Sequence, residues 1–160
     1  MLSISLICVG KMKEAHYIAA YDEYAKRMKP FAKFELFELN ECKLSQNPSE
    51  AEIAAGLSKE AVDIEAHIPA AAFKIALCVE GEQLSSPRLA ALFQKCANEG
   101  KSKICLIIGS SFGLDEGLKK SADLRLSMSK MTFPHHLARV MLAEQIYRAT
   151  MINEGSKYHK

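Results

Sequence analysis

The stretch Ser127–Thr150 reads SMSKMTFPHHLARVMLAEQIYRAT: a loop without helical period, then, from Pro134, a long helix. Proline suits a helix start and breaks a helix interior, so composition sets the boundary between the halves. The helical half is apolar in two directions, with Leu137, Val140 and Met141 on one side and Ala138, Leu142, Ile146 and Ala149 on another. A helix apolar on more than one side is buried on both, which in a chain of 160 residues predicts a subunit interface beside the core. No other segment joins a proline, a histidine pair, two arginines, a glutamate and a tyrosine to an apolar helix, so the functional centre is placed here.

Upstream, apolar β-rich runs alternate with helical patterns. Leu2–Val9 ends at Gly10 and reads as a buried strand, and Lys13–Met28 carries Tyr17, Tyr21, Tyr24 and Met28 at helical spacing before Pro30. The tyrosine stripe is read as core before base-stacking platform. Phe34–Leu39 is a second strand and Asn40–Pro48 a polar loop. Ser49 and Glu52 have capping-box spacing for a helix to about His67. A third strand, Phe73–Val79, is expected to close at Glu80-Gly81-Glu82. Ser86 as cap and Pro87 as first position then open a helix that Gly100 ends. Lys103–Ile108 is a fourth strand, apolar after its lysine as buried parallel strands are. The loop Gly109–Gly113, a short helix from Leu114 to Ser121 and a fifth strand over Ala122–Leu126 complete the pattern. Such alternation predicts an α/β fold with a mostly parallel sheet flanked by helices, in one domain over residues 1–160.

The formal charge of +2 neither announces nor forbids a nucleic-acid partner. Lys11, Lys13, Lys26, Arg27, Lys29 and Lys33 cluster around the first helix, a run that is usually a solvated face. Five cysteines without a CxxC pair favour reduced thiols in a cytoplasmic protein over a disulfide frame or zinc site. The first residues lack a basic leader, and no apolar run reaches the roughly 18 residues of a membrane helix. A soluble protein, with no membrane partner, is expected.

Two loops are candidates for a ligand. IGSSFGL, Ile108–Leu114, leaves the fourth strand, and open α/β sheets bind ligands outside the carboxyl ends of their strands. It has neither the lysine ending of a P-loop nor the GxGxxG of a dinucleotide site, and alone could be a plain turn. The second loop, Ser127–Pro134, offers backbone groups to a planar ligand such as adenine. Two such loops at neighbouring strand ends would make one pocket. His135 and His136 point about 100° apart on a helix and have no third ligand, so no metal is expected. Glu144 and Arg148 stand four apart, fit either for an ion pair or for an anion-binding arginine.

GSSFGL, the run LSMSKMTFPHHLARVMLAEQIYRA and the terminal YHK together resemble the SPOUT-class methyltransferases. The likeness is closer to the ribosomal RNA large subunit methyltransferase H type, which methylates N3 of a pseudouridine in helix 69 of 23S rRNA. The resemblance spans the whole chain. It implies a C-terminal trefoil knot, an exception to the rule that chains do not thread themselves. It also implies a homodimer acting on the ribosome, with S-adenosylmethionine as cofactor. The cofactor contacts fall on Leu77, Gly109, Met128, Ser129, Lys130, Met131, Thr132 and Phe133, and the usual second glycine of the first loop is Ser110 here. The catalytic positions fall on Arg148, Tyr158 and His159, so a tail that would otherwise read as a frayed end is expected to close over an active site. Imidazole ordinarily exchanges protons near neutrality, which makes His159 the candidate base; Tyr158 would orient the nucleobase, and Arg148 would stabilise its anion or hold a phosphate. Two other readings stay open on the residues alone: a SPOUT enzyme acting on transfer RNA, and a non-catalytic nucleotide- or RNA-binding dimer.

Overall fold

The structure is a computed structural model describing residues 1–160. Its elements are β1 Ser3–Val9, α1 Ala15–Met28, β2 Lys33–Leu39, α2 Glu50–His67, β3 Phe73–Gln83, α3 Ser86–Asn98, β4 Lys103–Ile108, α4 Glu116–Ser121, β5 Leu124–Ser127 and α5 His135–Asn153. The strands form one sheet in the order β2-β1-β4-β3-β5, with every pairing parallel. The expected α/β fold with a parallel sheet flanked by helices is what the chain adopts.

Alternation along the central strands builds two cores. Ile4, Leu6 and Cys8 of β1 and Ile104, Leu106 and Ile108 of β4 face α1, α3 and α5, where they meet Tyr21, Met28, Phe93, Leu142 and Ile146. The intervening Ile7, Val9, Cys105 and Ile107 face Ala61 and Ile64 of α2 and Leu118 of α4. A strand buried on both faces must be apolar throughout, which is why β4 shows no polar alternation. The tyrosine stripe divides: Tyr21 is buried, as expected, while Tyr17 and Tyr24 are half-buried.

Helix starts follow side-chain chemistry. Ser49 accepts the Glu52 N–H at 3.2 Å, as the capping box requires. The cap of α3 is Ser85, which accepts the Arg88 N–H at 3.3 Å. Ser86 was the expected cap; its hydroxyl instead donates to Gln145 of α5 at 2.6 Å. The short helix α4 begins at Glu116, two residues later than Leu114, because Asp115 caps it through the Leu118 N–H.

The largest departure from expectation is in β3. The strand does not close at Glu80-Gly81-Glu82 but runs to Gln83, pairing with β5 through a register shift between Leu77 and Glu82. Gly81 makes this possible: a Cβ there would lie 2.7 Å from the Arg125 backbone. The bulged extension turns the C-terminal half of β3 into a wall beside the end of β5.

Candidate active site

The carboxyl ends of β3, β4 and β5 surround a cleft of about 650 Å³. Leu77, Cys78, Val79 and Glu80 come from β3, the run Ile108–Leu114 from the end of β4, and Leu126 and Met128 from β5 and beyond; Pro134, His135 and Ala138 close it from the start of α5. The two loops singled out in the sequence thus meet in one pocket, where ligands of open α/β sheets are found. Of the expected cofactor residues, Leu77, Gly109, Met128, Ser129, Met131, Thr132 and Phe133 line the cleft. Lys130 is exposed and outside the lining.

The glycine loop is tightly folded. Gly113 N–H donates to Ser110 O at 2.9 Å, and Gly113 holds φ at 89°, a conformation glycine adopts without strain. A Cβ on Gly109 would lie 2.1 Å from Gly113 O, so only glycine fits there. The second loop is braced by Ser127, whose hydroxyl donates to Ser129 O, and by Ser129, whose hydroxyl accepts the Met131 N–H.

Charged side chains in this lining are few. The Lys119 ammonium lies 2.6 Å from Glu80, and this contact holds the Glu80 carboxyl below its usual range. Burial, reinforced by His136, pushes the His135 imidazole below its usual range. Burial likewise raises the Cys78 thiol. Ser110 is tied to α2: its hydroxyl donates to Glu60 at 3.2 Å, and the other Glu60 oxygen accepts the Cys42 N–H at 2.8 Å. Burial pushes the Glu60 carboxyl up against those two hydrogen bonds, and the nearby Glu41 charge adds to the rise. Apolar walls with small polar side chains among them and a single ion pair suit an elongated nucleoside with a zwitterionic end, the form of S-adenosylmethionine.

Arg148, Tyr158 and His159 also come together, but elsewhere. Glu144 is their hub: it accepts from Arg148 Nε at 2.9 Å and from the Tyr158 hydroxyl at 3.1 Å. Arg148 lies over the Tyr158 ring at 4.8 Å, and its Nη1 is 3.3 Å from His159 Nδ1. Tyr158 packs edge-on against Tyr147 with ring centroids 4.8 Å apart. Burial, with Glu144 accepting its hydroxyl, pushes the Tyr158 phenol up to about 12, so it stays protonated and acts as a donor. Both readings of the Glu144–Arg148 spacing were open; the ion pair forms. None of the trio lines the cleft. A second cavity of about 580 Å³ lies between, lined by Tyr24, Ser85, Ser86, Val140, Met141, Glu144 and Gln145, and it shares Leu126 and Met128 with the first.

Sequence reading missed two residues that matter here. Arg139 interrupts the apolar faces of α5 in the sequence and is 1% exposed in the structure. Glu60 is buried as well, and only its partners in two distant loops explain why. The histidine pair does not gather a metal set: no group of three or more His, Cys, Asp or Glu side chains is placed to hold an ion. His136 instead meets Glu14 at 2.9 Å. No helix is long and apolar enough to cross a membrane. The five cysteines are free; Cys8, Cys96 and Cys105 are buried, and Cys78 is half-exposed on the cleft.

Comparison with known proteins bears on the identity of this site. A family model described as "Predicted SPOUT methyltransferase" matches residues 2–159. The chain is 45% identical over 159 residues to a protein of Clostridium novyi named ribosomal RNA large subunit methyltransferase H, covering 99% of this chain and all of that one. A protein of the same name from Bifidobacterium adolescentis is 46% identical with the same coverage, and one from Moorella thermoacetica 41% over all 160 residues. Among solved structures, the tRNA (m1G37) methyltransferase of Aquifex aeolicus aligns with a TM-score of 0.51 at 17% identity. That alignment covers 92% of this chain and 69% of that one, a likeness of fold. The chain belongs to the SPOUT methyltransferase family, whose members draw the methyl group from S-adenosylmethionine.

Proposed function

We propose that this protein methylates 23S ribosomal RNA at N3 of a pseudouridine in helix 69, acting on assembled ribosomes as a cytoplasmic homodimer with a C-terminal trefoil knot. Relatives carrying the rRNA methyltransferase H name at 41% and 46% identity support the RNA substrate. The observation that carries the reading is the cleft at the ends of β3, β4 and β5, in which both family loops meet.

When bound, the cofactor supplies an electrophilic methyl group on a sulfonium. Leu77, Gly109, Met128, Ser129, Met131, Thr132 and Phe133 would hold it in the cleft, with Lys130 assigned to its rim from the same loop, and the apolar walls would exclude water. Positioning of this kind accounts for roughly 7 to 11 kcal/mol of a barrier, against about 3 to 5 kcal/mol for a well-placed general base. Alignment is therefore the larger contribution. The N3 proton must also leave. His159 is assigned to take it, Arg148 to stabilise the imide anion, and Tyr158, held by its hydrogen bond to Glu144, to orient the base or stack on it.

From Ala138 at the cleft to Arg148, α5 advances ten residues, about 15 Å of helix. One chain's tail thus stands away from its own cleft, and the proposal assigns the second copy's tail to close it, across the half-buried Val140 and Met141 side of α5. Lys11, Lys13, Lys26, Arg27 and Lys29 are assigned to RNA phosphates.

The test is to map tritiated methyl groups in RNA from cells with and without the gene. A single missing methyl on helix 69 is the expected result. A missing methyl on transfer RNA instead, or none at all, overturns the assignment.

A further inference from the structure

The glycine loop contributes two serines to the cleft lining, exposed Ser111 and buried Ser110, and a buried glutamate takes the hydroxyl hydrogen of Ser110. Glu60 is 7% exposed and Ser110 is 6% exposed, so the bond between them does not compete with bulk water. A carboxylate has acceptor oxygens only. With one Glu60 oxygen taken by the Cys42 N–H at 2.8 Å, the other, 3.2 Å from Ser110 Oγ, obliges the serine to be the donor. A hydroxyl has one hydrogen and two lone pairs. Once its hydrogen is committed to Glu60, only the lone pairs remain for anything in the cleft.

We propose that Ser110 is a specificity-determining hydrogen-bond acceptor for the cofactor, and that Glu60 is the positioning residue that fixes its polarity through the Ser110–Glu60 bridge. The oxygen selects a ligand group that gives an N–H or O–H. On S-adenosylmethionine the candidates are the adenine amine, the ribose hydroxyls and the methionine ammonium, which share that donor chemistry. The Ser110 main chain reinforces the placement, since its carbonyl accepts the Gly113 N–H and pins the residue at the base of the turn. Glu60 also ties the segment at Cys42 to the same point, so α2 braces both loops. This inference rests on the reading that the cleft between the glycine loop and Met128–Phe133 holds the cofactor.

The decisive substitution is Glu60→Gln, which preserves size. The Cys42 N–H would fix the amide with its oxygen toward Cys42 and its NH2 toward Ser110. Ser110 would then accept from Gln and present its own hydrogen to the cleft, reversing the polarity without emptying the site. A purely structural role for Glu60 would be satisfied by this change. A polarity-setting role would not.

The experiment measures S-adenosylhomocysteine binding to the full-length protein by calorimetry, with thermal unfolding as a fold control. Glu60→Gln and Ser110→Ala are each expected to weaken binding by about 3- to 10-fold, the loss of one hydrogen bond, and the double variant no further than Ser110→Ala alone. Analogues lacking the adenine amine, a ribose hydroxyl or the α-amine identify the donor. Removing the right group should weaken binding to the wild type and leave Ser110→Ala unaffected. Binding within twofold of wild type for Ser110→Ala overturns the proposal, even if Glu60→Gln fails to fold. Additive losses in the double variant, or full binding by Glu60→Gln, overturn it too. A bulky Thr132→Trp separates the underlying reading: if it leaves binding intact, the cofactor lies elsewhere, and that reading fails first.

Discussion

Glu38 and Arg139, 101 positions apart in the chain, meet at 2.6 Å, the glutamate at the surface and the guanidinium buried beneath it, where it also donates to Gly10 O at 2.8 Å. The pair ties α5 to the ends of β1 and β2, so the helix that closes the cleft is anchored from the far side of the sheet. Removing the glutamate leaves the buried guanidinium without its counter-charge. Glu38→Ala is therefore expected to destabilise the protein by about 1 to 3 kcal/mol, read from urea unfolding. A loss below about 1 kcal/mol would mean that the Gly10 carbonyl alone satisfies Arg139.

The same carboxylate predicts a pH dependence. Burial alone would raise Glu38, but the Met12 N–H and the Arg139 guanidinium outweigh it and hold it below the usual value of 4.5. A carboxylate held low binds its proton more weakly in the folded chain than in the unfolded one. Its stabilisation is complete above the ordinary glutamate range and is lost as pH falls through the lower, folded value. Urea midpoints of wild type and Glu38→Gln should accordingly differ most at about pH 7 and converge toward about pH 3. A constant gap would show that the glutamate is not the titrating group.

The tail cluster makes a separate prediction. Deleting Tyr158–Lys160 removes the ring packed on Tyr147 and the imidazole beside Arg148 but touches nothing that lines the cofactor cleft. Methyl transfer to ribosomes should fall at least about 100-fold while cofactor affinity stays within twofold. Unchanged transfer would remove Tyr158 and His159 from the reaction.

Gly81 and Gly100 form a matched pair of tests. A Cβ at Gly100 meets open space, and its positive φ of 75° is the only strain, costing about 1 to 2 kcal/mol as alanine. At Gly81 the Cβ collides with the Arg125 backbone, displacing β3 from β5. Gly81→Ala should weaken both stability and cofactor binding, because the extended strand carries the Glu80 wall of the cleft; Gly100→Ala should leave binding alone. Equal effects on binding would contradict the role given to the β3 extension.

What the chain announces locally and what it does not divides along physical lines. Apolar alternation, proline and glycine stops and the Ser49–Glu52 spacing are local signals, and the five strands and five helices follow from them to within a few residues. The cleft loops were legible because both leave strand ends. Features that depend on distant partners were not. Gly81 looks like a strand terminator until the β5 backbone is beside it. Ser85 and Ser86 are equally good caps until Gln145 claims one of them. Arg139 and Glu60 look like surface charges, because the groups that satisfy them lie 101 and 50 positions away. The separation of Tyr158 and His159 from the cleft is likewise a property of the folded helix.

Leu126 and Met128 stand in the walls of both cavities. Neither cavity can therefore drift in sequence independently of the other. A substitution that selection or an engineer favours for one chamber is at once a change in its neighbour, so tolerated replacements at these two positions should come with compensating changes on both sides, around Leu77 and Thr132 in one and around Val140 and Met141 in the other.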